Sequence, residues 1–194
     1  MSEASPACAV RSTWITAEFT VEECELIAYW LARREAGQLP RFAAVDATGL
    51  RPWLPHLQIH ERADDGRYLC RLSGIACVQA IGADSSGKWL DQVVSPQVYA
   101  SAKPMFDRAL ANGRPLRYRG RLAIADGSWR IYHRLLLPMR QRGADGDTLL
   151  STLKYDRGKR AIAAPAVRST STILGSWELT EADLRDGFSE AAAA

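Results

Sequence analysis

The chain has 194 residues, 25 of them basic and 22 acidic, for a formal charge of +3. That length suits one domain with its own core plus tails and excludes two domains of ordinary size, and so balanced a charge exerts no general pull toward nucleic acid. The opening MSEASPACAVRSTW has neither a basic start nor an apolar run, and no stretch approaches the roughly 20 apolar residues of a spanning helix. A cytoplasmic location is expected, with neither membrane nor nucleic acid as a partner.

Residues 1–19 lack periodicity and are expected to be disordered. The first firm element opens at Thr20, where Thr20-Val21-Glu22-Glu23 matches a capping box: the hydroxyl and the glutamate satisfy the first free backbone N–H groups. A helix from Val21 to Ala36 follows, with Cys24, Ile27, Ala28 and Leu31 along one stripe, widened by Tyr29 and Trp30, and Gly37 as the stop. A short helix is expected after Asp46, limited by Pro52.

Three Asp-Gly pairs, Asp65-Gly66, Asp126-Gly127 and Asp145-Gly146, lie between runs of strand-like alternation. Because this dipeptide tolerates positive φ, each is a reversal signal. The first hairpin runs His56–Glu61 and Arg67–Leu72. Helical turns through Ile75, Cys77, Val78 and Ile81 follow, then a polar loop from Asp84 to Lys88. Ser95-Pro96 reads as cap and first position of a helix ending at Asn112-Gly113, with Pro104 expected to bend or split it.

A three-strand meander comes next. On the third strand Leu116, Tyr118, Leu122 and Ile124 share one face and Arg117, Arg119 and Arg121 the other; on the fourth, Trp129, Ile131, His133, Leu135 and Leu137 oppose Arg130, Tyr132, Arg134 and Leu136. The fifth runs Thr148–Tyr155. Residues 157–194 read as a largely irregular tail with weak apolar points at Ile173, Leu174, Trp177 and Leu179. Hairpin, helices, then meander is an α+β order: a five-stranded antiparallel sheet with helices inserted between strands 2 and 3, curved over them as a cup, plus an N-terminal flanking helix.

The pieces Tyr29-Trp30, Leu39-Pro40-Arg41, Leu54-Pro55-His56-Leu57, Tyr68 to Gly74 (YLCRLSG), Gly82 to Leu90 (GADSSGKWL) and Leu136-Leu137-Pro138-Met139 resemble, in order, the PAS-domain family common in alphaproteobacterial, hence bacterial, proteins. That family shows a YW pair, an LP-R segment, an RLxGT stretch, a GxDxTG loop and a late LPL. The resemblance spans residues 26–156. Ile75 stands where the family commonly has threonine, and Ser86 replaces the threonine of GxDxTG. The resemblance implies a PAS-like fold over residues 20–156 and a sensory role in signal transduction; it names no ligand.

Candidate chemistry is sparse. His133, on the face with Trp129 and Ile131, could place an imidazole in the cup, though a satisfied core histidine is the more frequent use of such a position. His56 and His60 share a face with no third ligand at useful spacing, so no metal is expected. No haem signature is present, haem is not expected, and the sequence names no other cofactor. Arg117, Arg119, Arg121, Arg130 and Arg134 would form a solvated basic patch on the outer face, and Arg71 would either anchor an anionic ligand or form an ion pair with Asp84. Cys8, Cys24, Cys70 and Cys77 lack zinc-ligand spacing; buried free thiols are expected. The loop at Asp84–Lys88 lacks the spacing of a phosphate loop, and no nucleophile elbow or triad can be assembled.

The expected function is therefore a non-enzymatic sensory module. An unidentified small molecule or a signalling protein engages a cup lined by Cys77, Val78, Ile81, Tyr118, Trp129, Ile131 and His133 and alters how the sheet packs on the flanking helix. No kinase, cyclase or DNA-binding motif is present, so output is expected to pass through another protein or the oligomeric state. In PAS-like proteins such helices commonly make the dimer; a homodimer is expected with Ile27, Trp30 and Leu31 at its centre. The alternatives are a cone-shaped α+β enzyme using His133 as acid and base, or a ligand-free protein-interaction adaptor with a filled core.

Overall fold

The computed structural model describes residues 19–35, 37–123, 129–141, 146–156 and 170–188. Helix α1 (Val21–Leu31) opens with the capping box in full: the Glu23 amide donates to the Thr20 hydroxyl at 3.2 Å, and the Thr20 amide to the Glu23 carboxylate at 2.9 Å. It ends earlier than the sequence suggests, because the apolar stripe runs out at Leu31. Asp46 caps a turn rather than a helix: its carboxylate accepts from the Gly49 amide, and the chain reaches the sheet through a 3-10 turn at Leu54–His56.

Strands β1 (Leu57–Arg62) and β2 (Tyr68–Ser73) are joined through Gly66, whose φ of 78° needs the missing side chain. Between β2 and the next strand lie α2 (Ile75–Ile81), α3 (Leu90–Val93) and α4 (Pro96–Asn112). The Ser95 hydroxyl caps α4 by accepting from the Val98 amide at 3.2 Å, and the helix runs through Pro104 as one element. Then come β3 (Leu116–Ala123), β4 (Trp129–Met139), β5 (Thr148–Tyr155), β6 (Thr170–Glu178) and α5 (Glu181–Phe188). Asp126-Gly127 and Asp145 lie outside the described residues, as do Cys8 and residues 1–18.

All neighbours in the sheet are antiparallel, in the order β2-β1-β5-β4-β3-β6. The expectation of five strands is thus corrected to six. Residues 170–178, read as part of an irregular tail, pair with β3 from Leu116↔Glu178 to Ala123↔Thr170. Small polar residues dominate this segment, so it carries little alternation; backbone hydrogen bonds to β3 hold it, aided by Ile173 and Trp177 packed on the two faces.

Both faces of the sheet are covered. Leu26, Ile27 and Trp30 of α1 are buried against Leu57, Leu135, Leu137 and Leu150 on the back face, and the Trp30 indole donates to the Pro138 carbonyl at 2.7 Å. Each such side chain contributes about 1.5–3 kcal/mol, enough to hold a helix too short to stand alone in water. Phe106, Ala109 and Leu110 of α4 pack against Tyr68, Tyr118, Leu136 and Leu149 on the opposite face, the inside of the cup. Ile27 and Trp30, expected at the centre of a two-fold interface, are 0% and 1% exposed and already spent on their own sheet; Leu31 is half-buried at its edge.

A cup with one buried arginine

Register decides what faces the cup. In β3–β4, Tyr118 pairs with Arg134, Gly120 with Tyr132 and Leu122 with Arg130, while Arg119 pairs with His133 and Arg121 with Ile131. Directly opposed residues of an antiparallel pair share a face, so Tyr132 and Arg134 join Tyr118 inside, and Ile131 and His133 turn to the back. A glycine at position 120 is what lets the Tyr132 ring lie across β3: a Cβ there would overlap the ring.

The cup encloses a cavity of about 60 Å³. Strands supply Gln58, Tyr118, Leu122, Tyr132, Arg134, Leu153 and Tyr155; the helices supply Ala80, Ile81, Leu90, Val93, Val98 and Ala102; Ser85 comes from the loop between α2 and α3, and Val94 from the turn after α3. Tyr118 and Tyr132 pack edge to face, their centroids 6.0 Å apart. Tyr132 shares a hydrogen bond of 2.8 Å with Ser171 of β6, so the sixth strand helps set the wall.

Arg134 is the charged group of this lining, 6% exposed. One terminal nitrogen donates to the Gln58 side-chain carbonyl, the guanidinium lies 5.1 Å from the centre of the Phe106 ring, and its Nε has no hydrogen-bond partner. Burial works against its charge, and its pKa is raised only through the ionised forms of Tyr118, Cys77, Tyr155 and Tyr132. Burial lifts the phenols in turn: Tyr118 and Tyr132 rise, and Tyr155 is pushed up to about 12. All are neutral near pH 7, so they offer dipoles and no countercharge. His60, on the same face, is wholly buried and edge-on to Phe106 at 5.1 Å; burial, then Arg134, holds its pKa well below the usual value, and neither ring nitrogen has a partner.

Of the residues the sequence assigns to the cup, Ile81 and Tyr118 line the cavity. Cys77 is buried on this side, its thiol 3.9 Å from the Leu153 carbonyl, behind the wall; Val78 is half-buried and off the lining. Trp129 is 59% exposed, and Ile131 and His133 lie on the back face. His133 therefore cannot act on a molecule in the cup. Leu153 and Tyr155 were missed because β5 is buried on both faces for most of its length and shows no alternation, and the α3–α4 residues because a helical pattern does not say which turn meets a cavity.

The five-arginine patch dissolves likewise. Arg119 and Arg121 are exposed, Arg134 is inside the cup, and Arg117 is buried on the back face, where its Nε meets Glu23 of α1 at 3.0 Å. Arg117 also donates to His133 Nδ1 at 2.9 Å, and since arginine only donates, His133 carries its proton on Nε2 and gives it to Asp156 at 2.9 Å. Glu23, Arg117, His133 and Asp156 thus form one polar chain from α1 across β3 and β4 to the end of β5. Arg71 pairs with Glu61 at 3.1 Å rather than with Asp84, because Asp84 turns back onto its own loop and accepts from the Ser86 amide. Ser86, despite replacing threonine, accepts from the Ser73 amide at 3.1 Å and ties that loop to β2.

Cys24, Cys70 and Cys77 are free and buried, and burial pushes the Cys24 and Cys77 thiols up to about 11. Among the described residues no cluster of three or more metal-ligating side chains occurs, and no helix is long and apolar enough to cross a membrane.

The family model for the PAS domain matches residues 19–154. The chain belongs to the PAS-domain family. Its α+β sheet and helical cover resemble solved structures at low identity: a fungal LOV domain photoreceptor (12% identical, TM-score 0.41, covering 72% of this chain and 96% of that one), an RNA-binding light-oxygen-voltage receptor (18%, 0.38, 72% and 36%), and VqmA in the Vibrio cholera VqmA-ligand-DNA complex (14%, 0.41, 56% and 49%). The match spans about half of the VqmA chain. No curated protein matches. PAS domains are typically sensory and non-catalytic.

Proposed function

We propose that this PAS domain is a sensory module, without catalysis of its own, whose cup takes a small effector and reports its presence through α1 and β6. The observation that carries this is the cavity of about 60 Å³ walled mainly by apolar and aromatic side chains around a few inward polar groups, the composition of a ligand site rather than of a filled core. Domain limits of 20–156 fit the ligand-binding part, with 170–178 added as an edge strand.

The route outward follows from strand geometry. Tyr132, His133 and Arg134 are consecutive on β4 and point alternately into the cup, to the back and into the cup. A molecule that shifts Tyr132 and Arg134 moves the strand that presents His133 to Arg117, and Arg117 holds Glu23 of α1. Through Ser171, Tyr132 also touches β6. An effector then biases the domain between two packings of α1 on the sheet, in proportion to its preference for one of them.

The test is a fragment screen by ligand-observed NMR on the wild type and on Ala102→Leu, which fills the cavity from α4. Fragments that bind the wild type and fail to bind the filled variant support the proposal. A screen whose hits bind both proteins equally would show that they do not use the cup, and the filled-core adaptor reading would take its place.

A further inference from the structure

Resting on the cup as a ligand site, we infer that its effector is a small monocarboxylate whose anionic head pairs with Arg134. A buried arginine ordinarily has a carboxylate beside it, because an isolated charge in a low-dielectric interior is costly. The back face of this same sheet shows the usual solution, with Arg117 on Glu23 at 3.0 Å. Arg134, next to His133 on β4 but on the opposite face and 6% exposed, has instead the neutral amide of Gln58, the face of Phe106 and an Nε without a partner. Phenols and one thiol surround it, and among the described residues no carboxylate pairs with it. The missing partner is an anion, and the cavity that Arg134 lines is where one fits.

Three features narrow the class. The guanidinium of Arg134, which lines the cavity, is a planar donor group of the kind a carboxylate matches with two hydrogen bonds. A single cation balances one negative charge, which disfavours phosphate monoesters that carry nearly two at neutral pH. Much of the wall, including Val94, Val98, Ala102, Leu122 and Leu153, is apolar and asks for a hydrocarbon body. A cavity of about 60 Å³ holds roughly five waters, or about 150 Å³ of liquid, the size of a four-carbon acid.

The experiment titrates uniformly ¹⁵N-labelled protein at pH 7.5 with sodium butyrate and, separately, with butyramide, which has the same shape and no charge. Dissociation constants come from the amide shifts of residues on the cup wall, in the wild type, in Arg134→Met and in the filled variant Ala102→Leu. Butyrate binding at least about tenfold tighter than butyramide, a preference lost in Arg134→Met while butyramide still binds, and no binding of either in Ala102→Leu, is the expected result. Equal affinities in the wild type overturn the assignment of charge and leave the cup as a site for neutral molecules. A preference that survives in Arg134→Met overturns the role of Arg134. Neither probe shifting the cup amides overturns the assignment too, and whether the cup is a site at all is then decided by the fragment screen. Since the wild-type comparison needs no variant, a poorly folding Arg134→Met would not protect the inference.

Discussion

Glu23→Gln tests the polar chain that ties α1 to the sheet, and its cost can be worked from the geometry. Glutamine can still complete the capping box through its side-chain carbonyl, so the substitution removes charge with little change of shape. Glu23 and Arg117 have side chains only 4% and 9% exposed; removing one partner of a buried pair leaves the other uncompensated, at about 3–5 kcal/mol. Arg117 keeps His133 and lies 5.8 and 5.5 Å from the Phe19 and Trp177 rings, which places the expected loss at the lower end, about 3 kcal/mol. The neighbouring pair of Glu22 and Lys154, 62% and 31% exposed, is a built-in comparison expected to be worth under about 1 kcal/mol. Urea unfolding followed by tryptophan fluorescence on the wild type, Glu23→Gln, Arg117→Met and the double variant closes the cycle. The double variant should lose much less than the sum of the singles, because it strands no charge. Additive losses, or a Glu23→Gln protein within about 0.5 kcal/mol of the wild type, would refute the coupling.

Three further outcomes follow from the same geometry. Burial holds the folded pKa of His60 well below 6.5, so the unfolded chain binds the extra proton: the contribution of the neutral imidazole is present above pH 6.5 and is lost progressively as pH falls below it. His60→Leu should flatten that part of the pH profile in urea melts, and an unchanged slope would put the sensitivity elsewhere. Gly120→Ala forces its Cβ into the Tyr132 ring and should cost about 1–3 kcal/mol while weakening cup binding; a neutral variant in thermal melts would mean the ring moves freely. Ile27→Glu buries a charge in the α1 seam and should unfold the domain, as read by circular dichroism, whereas a folded monomer from a dimeric parent would restore Ile27 to an interface between subunits.

Much of the fold is legible because several signals are local. The Thr20 capping box, the Ser95-Pro96 start and the Asp65-Gly66 reversal each depend on a few adjacent residues and appear where the sequence places them. The face of β4 is a different problem. Leu135 and Leu136 are both 0% exposed, since helices cover both sides, so alternation cannot say which row is inside. A two-residue turn at Asp126-Gly127 would pair Tyr118 with Leu135, whereas the observed partner is Arg134. Such a difference of one residue exchanges the faces; grouping His133 with the apolar row of Trp129, Ile131, Leu135 and Leu137 set it in the cup and Arg134 outside it. Only the register relative to β3 could have exposed the buried arginine, and no single strand encodes it.

The central claim is that occupancy of the cup is felt at α1. Hydrogen–deuterium exchange with mass spectrometry, with and without saturating sodium butyrate or the tightest hit of the fragment screen, measures this directly. The account predicts a changed exchange rate at the amides of Val21–Leu31, in addition to the cup wall, and loss of the α1 response in Glu23→Gln while the cup response remains. Changes confined to the cup, with α1 exchange identical in the free and bound protein, would contradict it.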